Sequence, residues 1–185
     1  MAILKILHFP DKRLRLKAIP VEEITPKISD IAENMLETMY AEGGIGLAAT
    51  QVNIQNRIIV IDISENKNEP LILINPEILE LEGKKESQEG CLSVPDYLDV
   101  VQRAENIEFR YTTLKNETVT KTVDGLLAIC IQHEIDHLNG KLFIDYISAL
   151  KRNRLKKKIQ IKLIMIPLIK YCETQQTKVS ICRNT

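Results

Sequence analysis

The chain has no surplus of either charge, since 25 Lys and Arg balance 25 Asp and Glu over 185 residues. A neutral long-range field gives no pull toward nucleic acid or an anionic membrane, so recognition has to be local. Cysteine is also sparse, at Cys91, Cys130, Cys172 and Cys182. Four thiols in a chain of this length do not make a disulfide scaffold, and reduced thiols in a cytoplasmic protein are the expectation. No apolar run reaches the length needed to span a bilayer. The stretch from Met1 to Pro10 is too short an apolar run for a secretory leader and lacks the Arg and Ser richness of a transit peptide. Internal repeats and domain linkers are missing too. One domain, large enough to bury a core without metal or disulfide staples, accounts for the length.

Local patterns divide the chain into an early helix, several strands and a late helix. After a basic amphipathic stretch from Asp11 and a loop marked by Pro20 and Pro26, Ile28, Ile31, Ala32, Met35, Leu36 and Met39 recur every three or four residues. That spacing predicts an amphipathic helix over 27–41, ended by Gly43-Gly44. The β-branched run from Arg57 to Ile63 and the run Leu71–Asn75 before Pro76 predict buried strands. Further short strands are expected over 78–82, 106–111 and 118–123. Asp124 is placed to cap an apolar helix from Gly125 to about Leu138, closed by Asn139-Gly140. Many local strands and one buried helix predict an α+β fold, with small antiparallel or mixed sheets around that central helix.

The helix ends in Gln132-His-Glu-Ile-Asp-His137. Histidines four apart lie one above the other on a helix face, so His133 and His137 can reach one metal ion, and Glu134 stands beside them as a base. A surface helix with two ordinary histidines is the plain alternative. The apolar run before the motif argues against it, because imidazoles and carboxylates in a buried helix need something to satisfy them. A hydrolytic centre takes three protein ligands and keeps one open position. Cys130 precedes His133 by three, yet the helix climbs about 10 Å from Cys130 to His137 at about 1.5 Å per residue, which puts its short side chain out of reach. Cys130 therefore reads as a small wall of a pocket. Cys91, after a glycine in Glu89-Gly-Cys-Leu-Ser93, is the better third ligand, its alternative being a buried structural thiol. The segment Gly43-Gly-Ile-Gly-Leu-Ala-Ala-Thr-Gln51 lets the backbone approach a ligand closely. Its spacing fits neither phosphate loop nor dinucleotide fingerprint. Gln51 offers a neutral amide donor for an oxyanion, or else caps a turn.

Together, Gly44–Gln51, Glu89–Ser93 and Gln132–His137 resemble the peptide deformylase family in order and approximate spacing. The resemblance runs to about Lys158 and includes Leu7-His-Phe-Pro10 and Gly140-Lys-Leu-Phe143. It implies a metal-dependent hydrolase that removes the formyl group from the N-terminal formyl-methionine of newly made proteins, releasing formate. It implies Fe(II) held by Cys91, His133 and His137, with Zn, Ni or Co able to substitute. Glu134 is then the catalytic acid and base, and Gln51 and the Leu92 backbone N–H hold the oxyanion. Ile45, Leu126, Ile129 and Cys130 are the expected walls of the methionine pocket, and the backbone at Ile45 and Gly46 is expected to pair with the extended substrate. N-formylmethionyl nascent peptides are the expected partners, with the ribosome near its exit tunnel as a further one.

Two features depart from the family pattern. Leu98 stands at a cleft-lip position where many bacterial members carry a basic residue. Residues 1–158 form the expected catalytic domain, and 159–185 read as an atypical tail in which alternating Ile and Lys permit a strand, an apolar run permits an interface helix, and Pro167 interrupts either. Two other functions use the same residues: a zinc endopeptidase, which shares His-Glu-x-x-His, and a metal-binding protein without turnover. The cysteine ligand and the Gly44–Gln51 segment disfavour the first, and the complete set of reactive residues disfavours the second.

Overall fold

The computed structural model describes residues 2–161. Its contacts divide the chain into a unit over Met1–Ile147 and a second over Ser148–Thr185. In the second, residues 149–161 are helical and strongly basic. The expectations for the tail from residue 162 onward, including Pro167, Cys172 and Cys182, fall outside the described residues.

The first unit is built on a five-stranded antiparallel sheet. Its order is β1 (Gly46–Ala48), β2 (Ile58–Ile61), β3 (Leu71–Glu82), β6 (Asn106–Thr112) and β7 (Thr118–Asp124). The strands β4 (Lys85–Cys91) and β5 (Val94–Arg103) form a separate two-stranded hairpin. Helix α1 (Pro26–Ala41) and helix α2 (Gly125–Leu138) cover opposite faces of the sheet. This is the α+β arrangement expected. The alternation of β2 explains why its sequence is apolar throughout: Ile59 and Ile61 pack with Ala128, Ile131 and Ile135 of α2, whereas Ile58 and Val60 pack with Ile28, Ala32 and Met35 of α1. A strand covered on both sides has no polar face. Each such aliphatic side chain contributes about 1.5–3 kcal/mol through burial.

Three local expectations need correction. Residues 71–75 and 78–82 are not separate strands, because β3 runs through Pro76. Proline cannot donate to the ladder, and the strand accommodates it with a register shift between Ile74 and Glu77 and a positive φ of 51° at Asn75. The Asn75 amide is tied to Val21 by two hydrogen bonds of 2.8 Å, accepting from its N–H and donating to its carbonyl. Asp124 occupies the N-cap position of α2, but its side chain makes no capping hydrogen bond. The hairpin of β4 and β5 and the short β1 were not expected as strands at all. They are the elements that bring the glycine-rich segment and Cys91 to the histidine helix.

Candidate metal centre and its cleft

Helix α2 carries Gln132, His133, Glu134 and His137 inward, and all four are buried. They lie at the end of a helix whose remaining core face is apolar, so each needs a partner within the protein. Gln132 finds one at the start of the turn after β5, accepting from Ala104 N–H and donating to Ala104 carbonyl, both at 3.0 Å. The carboxylate of Glu89 accepts from His133 Nδ1 at 2.8 Å. His137 Nδ1 and Glu134 Oε2 are buried and have no partner among the described residues.

Cys91 ends β4, and a register shift between Glu89 and Cys91 turns it toward α2. Its Sγ lies 3.2 Å from His137 Nε2 and accepts from Ser93 N–H at 3.4 Å. The ligand atoms of Cys91, His133 and His137 all lie within 4.8 Å of one another. A thiolate and two imidazoles gathered this closely suit a transition-metal ion. The electrostatics agree with that fit. Burial alone opposes charge on His133, yet its hydrogen bonds to Cys91 and Glu89 outweigh it and raise this imidazole's pKa well above its ordinary value. Such a place attracts positive charge. Burial, followed by the charge on His133, holds His137 well below its ordinary pKa, leaving it neutral and able to act as a ligand.

The centre forms the floor of a cleft of about 1010 Å³. Every residue expected in the site borders this cleft except His137, which sits beneath it. Gln51 is buried; its Oε1 accepts from Ala48 N–H at 2.8 Å, which points its Nε2 toward Ser93 Oγ at 3.1 Å and Cys91 Sγ at 3.6 Å. Leu92 lines the cleft beside Gly44. Ile45 and Leu126 are exposed at the rim and Ile129 is half-buried, while Cys130 is buried with its Sγ 3.9 Å from the Ile45 carbonyl. Burial above all, with the charges of Glu134 and Glu89, pushes the Cys130 thiol up, so it stays protonated. Gly46 has no room for a side chain, since a Cβ there would lie 2.6 Å from Glu134 Oε1 and 2.7 Å from Cys130 Sγ. This close approach is why a glycine stands on the strand nearest Glu134. Leu98 lies at the lip, where it closes over Gly90.

Residues 3–153 match the model of the polypeptide deformylase family. The chain belongs to that family. Among solved structures it is similar to a peptide deformylase from Legionella pneumophila, at 44% identity over 89% of this chain and 98% of that one, with a TM-score of 0.84. A peptide deformylase from Ehrlichia chaffeensis, solved in complex with actinonin, is 39% identical over 88% of this chain and 98% of that one, with a TM-score of 0.83. One from Acinetobacter baumannii, solved with Met-Ala-Ser bound, is 35% identical over 79% and 99%, with a TM-score of 0.75. As a deformylase the chain is a metallo-hydrolase that removes formyl groups from the N-terminal formyl-methionine of newly made proteins. Among the described residues no helix is long and apolar enough to cross a membrane.

Sequence reasoning missed the groups that surround the deformylase centre. Ser93 engages both Gln51 and Cys91, and a buried ion cluster joins Glu89, Arg103 and Asp136. The signal for Arg103 was the alternation Asp99, Val101, Arg103 on the inward face of β5, which becomes readable only once β5 is known to be a strand.

Proposed function

We propose that Cys91, His133 and His137 hold a catalytic Fe(II), which Zn, Ni or Co can replace, and that Glu134 moves the protons of deformylation. The observation that carries this reading is the convergence of three ligand atoms beside a carboxylate whose Oε2 is buried without a partner among the described residues. When bound, the ion supplies Lewis-acid polarisation of the formyl carbonyl and makes water easier to deprotonate.

The chain's own groups do the rest. Burial pushes Glu134 up to about 7, opposed by the charge on His133 and reinforced by that on Glu89. A carboxyl that titrates there can take a proton from the attacking water and return it to the departing amine nitrogen. Gln51 Nε2 already points to the sulfur side of the cleft, and with Leu92 N–H it serves as donor to the developing oxyanion. Ile45, Leu126, Ile129 and Cys130 receive the methionine side chain, and the backbone at Ile45 and Gly46 pairs with the extended peptide. The products are formate and a free amino terminus. Ribosome association belongs to the same reading, with the six Lys and Arg of the helical stretch 149–161 suited to a polyanionic surface.

The test is elemental analysis of anaerobically purified full-length protein, with formate release from formyl-Met-Ala-Ser. One iron per chain is expected. Cys91→Ser loses the metal on dialysis, because hydroxyl is a poorer donor than thiolate. Cys130→Ser keeps metal stoichiometry and raises KM. The opposite pattern of metal retention reverses the ligand assignment.

A further inference from the structure

Among the described residues, only one of the two histidines that carry the centre has its Nδ1 braced by a side chain. The Nδ1 of His133 meets Glu89 Oε2, whereas that of His137 has no partner among the described residues. Glu89 is itself held in a fork. Arg103 donates from Nε to Glu89 Oε1 at 2.7 Å and from Nη2 to Glu89 Oε2 at 2.9 Å. Its remaining nitrogen, Nη1, donates to Asp136 Oδ2 at 2.6 Å. Asp136 in turn accepts from Tyr146 OH at 2.9 Å, and the Tyr146 ring lies 4.9 Å from the Arg103 guanidinium carbon. Arg103 and Glu89 are each 5% exposed.

We propose that Arg103 is a positioning residue for the metal centre, acting through Glu89 to set the ring orientation and tautomer of His133, and through Asp136 to set the distance between the Cys91 hairpin and helix α2. The geometry leads there in two steps. Glu89 with both oxygens engaged by the guanidinium is fixed in plane and anionic, so its bond to His133 keeps that proton on Nδ1 and leaves the Nε2 lone pair for the metal. The second step concerns spacing. Arg103 ends β5, whose partner strand ends in Cys91, while Asp136 lies between the two histidines in sequence. One guanidinium therefore ties together the two elements that deliver the ligands. The Gln132 bonds to Ala104 make a second fastening one residue along, so the junction is held at adjacent points.

A lysine could balance the buried carboxylates but cannot hold Glu89 in a fork and reach Asp136 at once. Arg103→Lys therefore separates positioning from charge compensation. This inference rests on the ligand set proposed above, and cobalt reports on each independently. Full-length protein loaded with Co(II) is followed by its absorption, whose sulfur-to-cobalt band requires the Cys91 thiolate. The unaltered protein is expected to bind one Co(II) with that band, and Cys91→Ser to lose it. If the band persists in Cys91→Ser, the ligand reading fails, whatever Arg103 does.

Arg103→Lys is expected to unfold cooperatively, keep the sulfur band with altered d–d bands, and bind Co(II) about 10–100-fold more weakly. Its kcat falls with little change in KM, since the peptide cleft is untouched. Glu89→Gln keeps the shape of the carboxylate without its charge, and is expected to weaken cobalt binding in the same way. The double variant should lose less than the sum of the two single losses, because Arg103 acts in part through Glu89. A folded Arg103→Lys with unaltered cobalt affinity and spectrum overturns the proposal. So does full additivity in the double variant, which remains measurable by competition if either single change lowers stability.

Discussion

The two faces of the central sheet are covered by helices of opposite character. Helix α1 buries Ile28, Ala32, Met35 and Met39 against β2 and β3, and its only fully buried polar side chain, Thr38, donates to the Asn34 carbonyl and accepts from Leu4 N–H. Helix α2 buries Ala128, Ile131 and Ile135 on the same sheet but also Gln132, His133, Glu134 and His137. The first face buries almost only apolar side chains. The second gives up part of that gain to hold polar groups out of water, where burial shifts their proton affinities and positions them for chemistry. Stability and activity are thus expected to respond to different faces.

The largest effect belongs to the α2 face. Glu134→Gln is expected to lower formate release by about 10²–10⁴-fold while the metal stays bound, because the amide keeps the shape and loses the proton acceptor. Elemental analysis beside the rate measurement checks both halves. A variant with near-normal turnover would mean that the base lies elsewhere.

On the α1 face, Met35→Ala should do the reverse. Met35 is fully buried, and its truncation is expected to cost about 2–5 kcal/mol of stability with turnover per folded molecule little changed. Urea titration gives the first quantity and an assay below the unfolding transition gives the second. If turnover falls as far as stability, the two faces are not separable.

A smaller effect distinguishes the faces by pH. Burial favours the neutral form of Glu89, but the Arg103 and His133 bonds outweigh it and hold its pKa at about 2, below the ordinary 4.5. The unfolded state therefore binds more protons between these values. Glu89 stabilises the fold fully above about 4.5, and the contribution is lost as pH falls toward about 2. Denaturant titrations at several pH values in this window should show a steeper fall for the unaltered protein than for Glu89→Gln. Equal slopes would place the acid sensitivity at other carboxylates.

The smallest effect concerns the start of α2. An N-cap aspartate normally contributes about 1 kcal/mol, yet Asp124 makes no capping bond, so Asp124→Ala should leave stability unchanged within about 0.5 kcal/mol. Thermal unfolding of the two proteins measures this. A loss near the usual capping value would show that the side chain caps the helix in solution.

The chemistry was legible where residues close in sequence act together. The histidine pair and Glu134 follow from helical spacing, and the boundaries of α1 and α2 from apolar periodicity and their glycine ends. The run through β2 was readable for a related reason, since a strand buried on both faces leaves an uninterrupted apolar signature. Strand β3 was read as two because proline ordinarily ends a strand, and only the bulge at Asn75, held by Val21, lets the ladder continue.

What the sequence by itself determined is the local part of this protein: two helices, most strands of the main sheet, the His-Glu-x-x-His face and the thiol best able to join it. Only the tertiary structure decided how the hairpin of β4 and β5 lies against α2. That contact turns Cys91 toward His137, gives His133 its partner in Glu89 and buries Arg103 between two acids. Polar residues on an amphipathic hairpin read as solvent-facing until an opposing surface is known. The reason is that a buried ion cluster is stabilised by partners distant along the chain, and such pairings leave no periodicity within any one segment.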